Sequence, residues 1–228
     1  MRTLLNLWTK NRKFFAFLLL MAFFRSAVAD WNIVPSGSML PTIRIGDRIL
    51  VDKMAYDLRV PFTHIEVTHL ADPQRGDIVT IDSSSAHELL VKRVVGVPGD
   101  VIAMNNNVLY INGSRVGYHP LVVNPPSSDR AARGEYVVER FGQAAHIVRL
   151  SPDAPSPVSS FGPVTVPPGK YLMLGDNRDD SADSRYFGFF PRNEIMGRTT
   201  RVAYSLDPNR FYLPRVDRFG SDLDALPG

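Results

Sequence analysis

Proline and glycine punctuate this chain along its length, 18 Pro and 16 Gly in 228 residues. Proline removes a backbone donor and obstructs the preceding helical turn, and glycine makes ordering the chain more costly. That spacing favours a loop-rich β protein over a helical bundle. After residue 31 the apolar residues fall in short runs between turn signals. Strands are predicted at Asp47–Lys53, Asp77–Asp82, Glu88–Val95, Val101–Met104 and Val108–Ile111. Asn105-Asn106-Asn107 between the last two is a hairpin signal. Further strands are predicted at Glu135–Glu139, His146–Leu150, Lys170–Leu174 and Ile195–Ser205. Between residues 118 and 168 the chain turns rich in Pro and Ser (NPPSSDR, SPDAPSPVSS), as an inserted subdomain would. From Asp207 it is polar and broken by Pro208 and Pro214, the pattern of an extended tail.

The amino terminus is different. Arg2, Lys10, Arg12 and Lys13 precede Phe14–Phe24, an uninterrupted apolar run (FFAFLLLMAFF). A cleaved secretory signal would combine this run with Ala27-Val28-Ala29 as its small-x-small cleavage site. A retained anchor would extend it towards Trp31, with Arg25 snorkelling to the interface. Hydropathy alone leans to the signal, because eleven apolar residues fall short of the roughly 20 that span a bilayer. Both readings leave the basic end in the cytoplasm and carry the rest of the chain outside.

Charge and composition exclude several functions. Residues 1–30 carry +4 and the whole chain +3, so everything beyond residue 30 sums to −1. A nucleic-acid binder needs its basic patch on the folded domain, so nucleic acid is not an expected partner. The absence of cysteine removes disulfides, thiolate nucleophiles and Cys-ligated zinc. The five histidines (His64, His69, His87, His119, His146) stand singly, at no ligand spacing, and read as ordinary surface or loop residues. No metal is expected.

Three segments can carry chemistry. In Pro35-Ser36-Gly37-Ser38-Met39-Leu40-Pro41-Thr42, prolines bracket two serines around a glycine, so Ser38 could be held rigidly and exposed. A plain turn after the anchor would look the same. In Leu90-Val91-Lys92-Arg93-Val94-Val95, strand alternation puts either Lys92 or Arg93 on the buried face. Burial lowers a lysine pKa from ~10.4 towards the ~7–8 suited to a general base. The third, Gly175-Asp176-Asn177-Arg178-Asp179-Asp180-Ser181-Ala182-Asp183-Ser184-Arg185-Tyr186, fits an internally salt-bridged loop better than a calcium site.

Taken in order, PSGSMLPT (35–42), RGDIV (75–79), KRVVGVPGD (92–100) and GDNRDDSADSR (175–185) resemble the bacterial type I signal peptidases, the leader peptidase family of Ser/Lys serine proteases. The matches span about residues 25–200. The resemblance implies Ser38 as nucleophile and Lys92 as the base that deprotonates it. It implies an oxyanion hole from the Ser36 hydroxyl and the Ser38 backbone N–H, with Ser181 orienting the lysine. Asp176, Arg178, Asp183 and Arg185 correspond to a supporting salt-bridge layer, and Arg93 to a structural arginine beside the base. A neutral lysine then does what histidine does in a Ser-His-Asp triad.

The family fold is mainly β: an antiparallel β catalytic domain with a smaller inserted β region, preceded here by one N-terminal transmembrane helix. The implied division is 1–30 cytoplasmic end and anchor, 31–117 and 169–206 catalytic core, 118–168 insertion and 207–228 tail. The resemblance favours a retained anchor, placing a single-pass protein in the bacterial inner (cytoplasmic) membrane with its catalytic domain periplasmic. The implied reaction is endoproteolysis of exported preproteins after small-x-small sites, through an acyl-enzyme and without a cofactor. The bilayer, the preproteins and the secretion machinery are the expected partners. Two alternatives differ: a Ser/Lys peptidase with one dedicated substrate, as in pilus or conjugative assembly, and a non-catalytic envelope β protein.

Overall fold

The computed structural model describes residues 11–63, 65–121, 134–141, 144–151 and 153–224. One helix, α1 (Arg12–Ala27), leads directly into β1 (Ala29–Ile33). There follow β2 (Asp47–Asp52), β3 (Asp57–Arg59), β4 (Glu66–His69), β5 (Ile78–Ser83), β6 (Glu88–Gly96), β7 (Val101–Asn105) and β8 (Val108–Ile111). Next come β9 (Ser114–Arg115), β10 (Gly117–Leu121), β11 (Glu135–Phe141), β12 (Ala144–Leu150), β13 (Phe161–Thr165) and β14 (Lys170–Leu174). A short helix α2 (Ser184–Phe187) precedes β15 (Phe190–Pro191), the long β16 (Ile195–Asp207) and β17 (Leu213–Pro214).

The main sheet has the order β1-β2-β16-β5-β6-β14-β15, with β17 added to β16. A four-stranded sheet runs β13-β7-β8-β9, a three-stranded one β10-β11-β12, and β3 and β4 form a separate hairpin. The pairs between these strands are antiparallel, so the chain is mainly β as expected.

Turn chemistry accounts for the β7–β8 hairpin. Asn105 pairs with Val108, and Asn106 and Asn107 both take positive φ, 46° and 63°. A two-residue turn matched to strand twist needs that conformation twice, and asparagine tolerates it better than other side chains. Bulges in the pairing of β16 with β2 and β5 bend the longest strand around the core.

Around β5, β6 and β14 the main sheet is covered on both faces. On β14, Leu172 and Leu174 pack with Val95, Ile102, Leu109 and Val166, while Tyr171 and Met173 pack with Val79, Ile81, Val94 and Ile195. Alternation therefore does not yield a polar face there, which explains the near-continuous apolar runs. It also explains why Lys92 and Arg93 are both buried, 2% and 3% exposed, where a half-buried strand would bury one of them. A third cluster joins Val34, Met39, Ile43, Ile49, Ile78 and Val202 to Leu223. The stretch beyond Asp207 thus folds back and contributes a core side chain.

Residues 1–10 lie outside the described residues, and among those described no helix is long and apolar enough to cross a membrane. Helix α1 has 16 residues, which at ~1.5 Å each is about 24 Å. It is apolar all round: Phe14, Phe17, Leu19 and Leu20 are exposed on successive sides.

Gly46, at φ +92°, lets the turn before β2 pass against the end of β16, where a Cβ would lie 2.0 Å from the Leu206 carbonyl oxygen. Gly46→Ala is expected to destabilise the protein by at least about 2 kcal/mol, lowering Tm by roughly 5 °C or more on thermal unfolding.

Candidate active site

Three segments distant in sequence meet at one cleft. The first follows β1. Val34, Met39 and Ile43 are buried in the core, and the Ile43 N–H donates to the Met39 carbonyl at 2.9 Å. These apolar anchors bracket Ser36 and Ser38 and leave both serines facing the cleft. The second is β6, which carries Lys92 and is held between β5 (Val79 opposite Lys92) and β14 (Leu174 opposite Arg93). The third is segment 175–185, the loop after β14 together with the first two residues of α2.

Lys92 Nζ donates to Ser38 Oγ at 2.8 Å and to the Val91 carbonyl at 3.1 Å. Ser36 Oγ donates to Ser38 Oγ at 3.4 Å. Burial lowers the Lys92 pKa to about 8, against the pull of the Asp183, Glu88 and Asp176 carboxylates and with the help of the Arg185 guanidinium. A hydroxyl and an amine of that pKa at hydrogen-bond distance can exchange a proton near neutral pH.

The Ser38 segment is clamped by its neighbour loop. The Asn177 backbone N–H donates to the Ser38 carbonyl and Asn177 Nδ2 to the Gly37 carbonyl, each at 3.0 Å. The approach is close enough to require glycine at 175. A Cβ there would lie 2.3 Å from Ser181 Oγ and 2.4 Å from the Ser38 carbonyl oxygen. Ser181 is buried in the wall of the same cleft, and its hydroxyl makes no hydrogen bond. The cleft holds ≈ 370 Å³, and Glu88, Leu90, Asp180 and Tyr186 complete its rim.

Behind the cleft lies a buried charge layer whose pairing runs partly outside the motif. Arg93 donates to both Asp176 oxygens at 2.8 Å, Thr42 Oγ1 donates to Asp176 Oδ2, and Arg93 Nη1 caps the Gly76 carbonyl at 2.8 Å. Arg178 pairs with Glu139 of β11, which also accepts from the Tyr118 hydroxyl. Arg185 grips Asp183 through Nε and Nη2, both at 2.8 Å, and Asp183 in turn accepts from the Gly175 N–H and caps α2 through the Arg185 N–H. Asp179 accepts from Asn107 Nδ2 and from the N–H groups of Ser151 and Ser156, each at 2.8 Å. The carboxylates of Asp176, Asp179 and Asp183 are thus engaged by protein donors, as an internally bonded loop requires.

Sequence reasoning missed Thr42, Glu139, His146 and Asn177. His146 is not a surface residue: it is 4% exposed, with Nε2 3.2 Å from Glu139 Oε2 and 3.7 Å from Asp176 Oδ1. Burial and then the Arg93 charge lower its pKa, while the two carboxylates oppose them. Burial would raise Glu139, but Arg178 and His146 hold it at about 2. The available signal was Glu139 and His146 standing opposite each other on predicted neighbouring strands, which places both side chains on one face. Of the remaining histidines, His69, His87 and His119 are exposed and His64 lies outside the described residues.

Comparison with known proteins agrees over most of the chain. Residues 7–204 match the family model described as signal peptidase, peptidase S26. A signal peptidase I of Pseudomonas aeruginosa is 36% identical over 225 residues, 92% of this chain and 77% of its own. A probable signal peptidase I-2 of Synechocystis sp. is 31% identical over 200 residues, covering 85% of this chain and 72% of its own. A solved signal peptidase I of Enterococcus faecalis V583 aligns with 57% of this chain and 97% of its own at 27% identity, with a TM-score of 0.34.

Gly175→Ala would displace the Ser38 carbonyl and Ser181 together. It is expected to lower kcat by about 100-fold or more with an unchanged far-UV spectrum. Gly162→Ala, whose Cβ would meet nothing within 4 Å, should leave activity intact.

Proposed function

The chain belongs to the signal peptidase family, peptidase S26, and is a hydrolase that cleaves signal peptides; from that premise we propose that Ser38 and Lys92 are its catalytic pair. The observation that carries this reading is the 2.8 Å contact between Lys92 Nζ and Ser38 Oγ inside a cleft where burial has lowered the lysine pKa to about 8.

In the proposed mechanism, neutral Lys92 takes the proton of Ser38 as Oγ attacks the carbonyl after a small-x-small sequence. The Ser36 hydroxyl and the Ser38 backbone N–H receive the oxyanion, a reading supported by the position of Ser36 Oγ beside Ser38 Oγ. Collapse of the tetrahedral species breaks the peptide C–N bond, and Lys92 passes its proton to the departing amine. Water then attacks the acyl-enzyme, giving its proton to Lys92, and Ser38 leaves reprotonated. Ser181 makes no hydrogen bond in this structure, and its free, buried hydroxyl in the same cleft is proposed to turn to the lysine and orient it. Arg93, Asp176, Arg178, Asp183 and Arg185 hold these segments in place.

The protein is further proposed to be a single-pass enzyme of the bacterial cytoplasmic membrane, with α1 as part of the anchor and the β domain outside. The apolar circumference of α1 and the basic residues before it support this orientation. Residues 118–168 are proposed as an inserted subdomain, a reading supported by the separate sheet of β10, β11 and β12, while β13 within that range pairs with β7.

The test is cleavage of a preprotein bearing an Ala-x-Ala site by detergent-purified protein. Loss of cleavage in Ser38→Ala and Lys92→Ala supports the pair; cleavage surviving in Ser38→Ala removes Ser38 as nucleophile. The competent form is the neutral amine, whose fraction grows with pH, so kcat/KM should fall about tenfold for each pH unit below about 8. Lys92→Arg should be inactive across that range, because guanidinium keeps its proton.

A further inference from the structure

The cleft is unevenly charged. Three carboxylates line it, Glu88, Asp179 and Asp180, against one cationic side chain, Lys92. Lys92 works as the neutral amine in the proposed mechanism, so the competent cleft carries negative charge alone. Behind the cleft each carboxylate is matched by an arginine, Asp176 by Arg93, Glu139 by Arg178 and Asp183 by Arg185. On the rim the matching stops, and none of the three forms a salt bridge with a described residue. Asp179 is the least available, because Asn107 and the N–H groups of Ser151 and Ser156 occupy its oxygens. Glu88 and Asp180 are exposed, and Asp180 has one long contact, Asn177 Nδ2 at 3.5 Å from its Oδ2. The wall beside them holds Ser181, 7% exposed and without a hydrogen bond. A buried hydroxyl left unbonded at a cleft is a second, independent sign that a polar ligand settles there.

Strand β6 shows which part of a substrate meets this charge. Its side chains alternate, so Glu88, Leu90 and Lys92 line the cleft in one row. Strand β14 pairs with β6 only from Arg93 onward, which leaves stretch 88–91 without a strand on that side. Lys92 Nζ meets Ser38 Oγ at one end of the row. Lys92 must pass its proton to the departing amine, so the nitrogen after the cut lies on the lysine side of Ser38. The chain beyond that nitrogen continues over Leu90 towards Glu88. Glu88 is about 13 Å along the strand from Lys92, a length that roughly four extended residues cover.

We propose that Glu88 and Asp180 are specificity-determining residues that read the first residues after the cut, favouring Lys or Arg there and rejecting Asp or Glu. The inference rests on the reading of Ser38 and Lys92 as the catalytic pair. It names a substrate class, preproteins whose mature chain opens with a basic residue. Such a cation does more than bind. The Glu88 carboxylate favours the Lys92 ammonium, and a substrate cation beside Glu88 offsets that pull and restores the neutral base.

The test uses the full chain in detergent and a set of peptides that share an Ala-x-Ala site. They differ only in carrying Lys, Gln or Glu at the first, second or third position after it. Cleavage is measured well above the Lys92 value of about 8, so that the base is neutral throughout. The expected kcat/KM is about tenfold higher for the best Lys peptide than for its Glu counterpart, and the ratio shrinks at about 1 M salt. Glu88→Gln/Asp180→Asn should bring the ratio close to one, and Glu88→Lys/Asp180→Lys should invert it. A ratio taken within each variant is independent of how much of that variant folds. Equal cleavage of Lys and Glu peptides by the wild type at all three positions overturns the proposal. So does a Lys preference that survives neutralisation of both carboxylates or persists unchanged in high salt. The Gln peptides test the underlying reading separately: if the wild type leaves them intact, or Ser38→Ala cleaves them, the catalytic pair is wrong whatever the flanking charge does.

Discussion

The arrangement of the cleft depends on one buried carboxylate, Asp176. An ion taken so far from water costs several kcal/mol unless fully engaged, and losing one partner of such a pair costs about 3–5 kcal/mol. Asp176 is engaged by Arg93 from β6 and Thr42 from the segment after β1, and it faces His146 from β12. Its own carbonyl accepts the Arg149 N–H at 2.9 Å. The carboxylate is stable only when the serine segment, the lysine strand, the loop and the β10–β12 sheet are all in place. That mutual requirement converts three discontinuous segments into one preorganised cleft.

The same layer decides the charge on Lys92. Burial favours the neutral amine, yet Asp183 and Asp176 stand close enough to favour the ammonium. Each of these carboxylates is tied to an arginine, Arg185 and Arg93 respectively. The pairing spends their negative charge on fixed guanidinium groups, and Arg185 also acts directly against the ammonium. Burial therefore wins. The scaffold and the amine then respond to pH at opposite ends. Asp176 and Glu139 have depressed pKa values in the folded state, so the stability they contribute is present above the ordinary carboxylate range and lost as pH falls below it, for Glu139 towards about 2. Lys92 loses its neutral form at about 8. With Lys92 as the base, as proposed, activity would be limited by the amine long before the charge layer is titrated.

How far the sequence was legible follows from how local each signal is. Val108–Ile111 and Lys170–Leu174 appear with the predicted bounds, because turn residues stop them on both sides. Strand β1 was not foreseen: Ala29–Ile33 follows the helix without a turn residue, and its Trp31 and Ile33 are exposed. The β3–β4 hairpin was hidden because both sides of β4 face outward, so no buried alternation marks it. At Lys92 and Arg93 the rule of one buried face failed because core clusters cover the sheet on both sides. The motif residues Ser36, Ser38, Lys92 and Ser181 are found lining one cleft. Thr42 reaches Asp176 across 134 residues and Glu139 reaches Arg178 across 39, contacts that a single sequence does not mark.

The unforeseen β1 has a mechanical consequence. Its five residues pair in continuous register with β2, from Ala29 opposite Asp52 to Ile33 opposite Arg48, and the Val34 N–H extends the ladder to the Asp47 carbonyl at 3.1 Å. The chain from the end of α1 to the serine segment is therefore a strand built into the main sheet and has no free linker. A flexible connection of the same length would let the cleft sample a wide volume above the helix, diluting it relative to a substrate held at the same surface. A paired strand rises about 3.3 Å per residue, which sets Ser38 at one distance from the helix end. With α1 in lipid, as proposed, the fold itself would fix the height at which a membrane-bound signal peptide meets the Ser38 hydroxyl, and substrate length beyond the membrane would be read against a rigid strand.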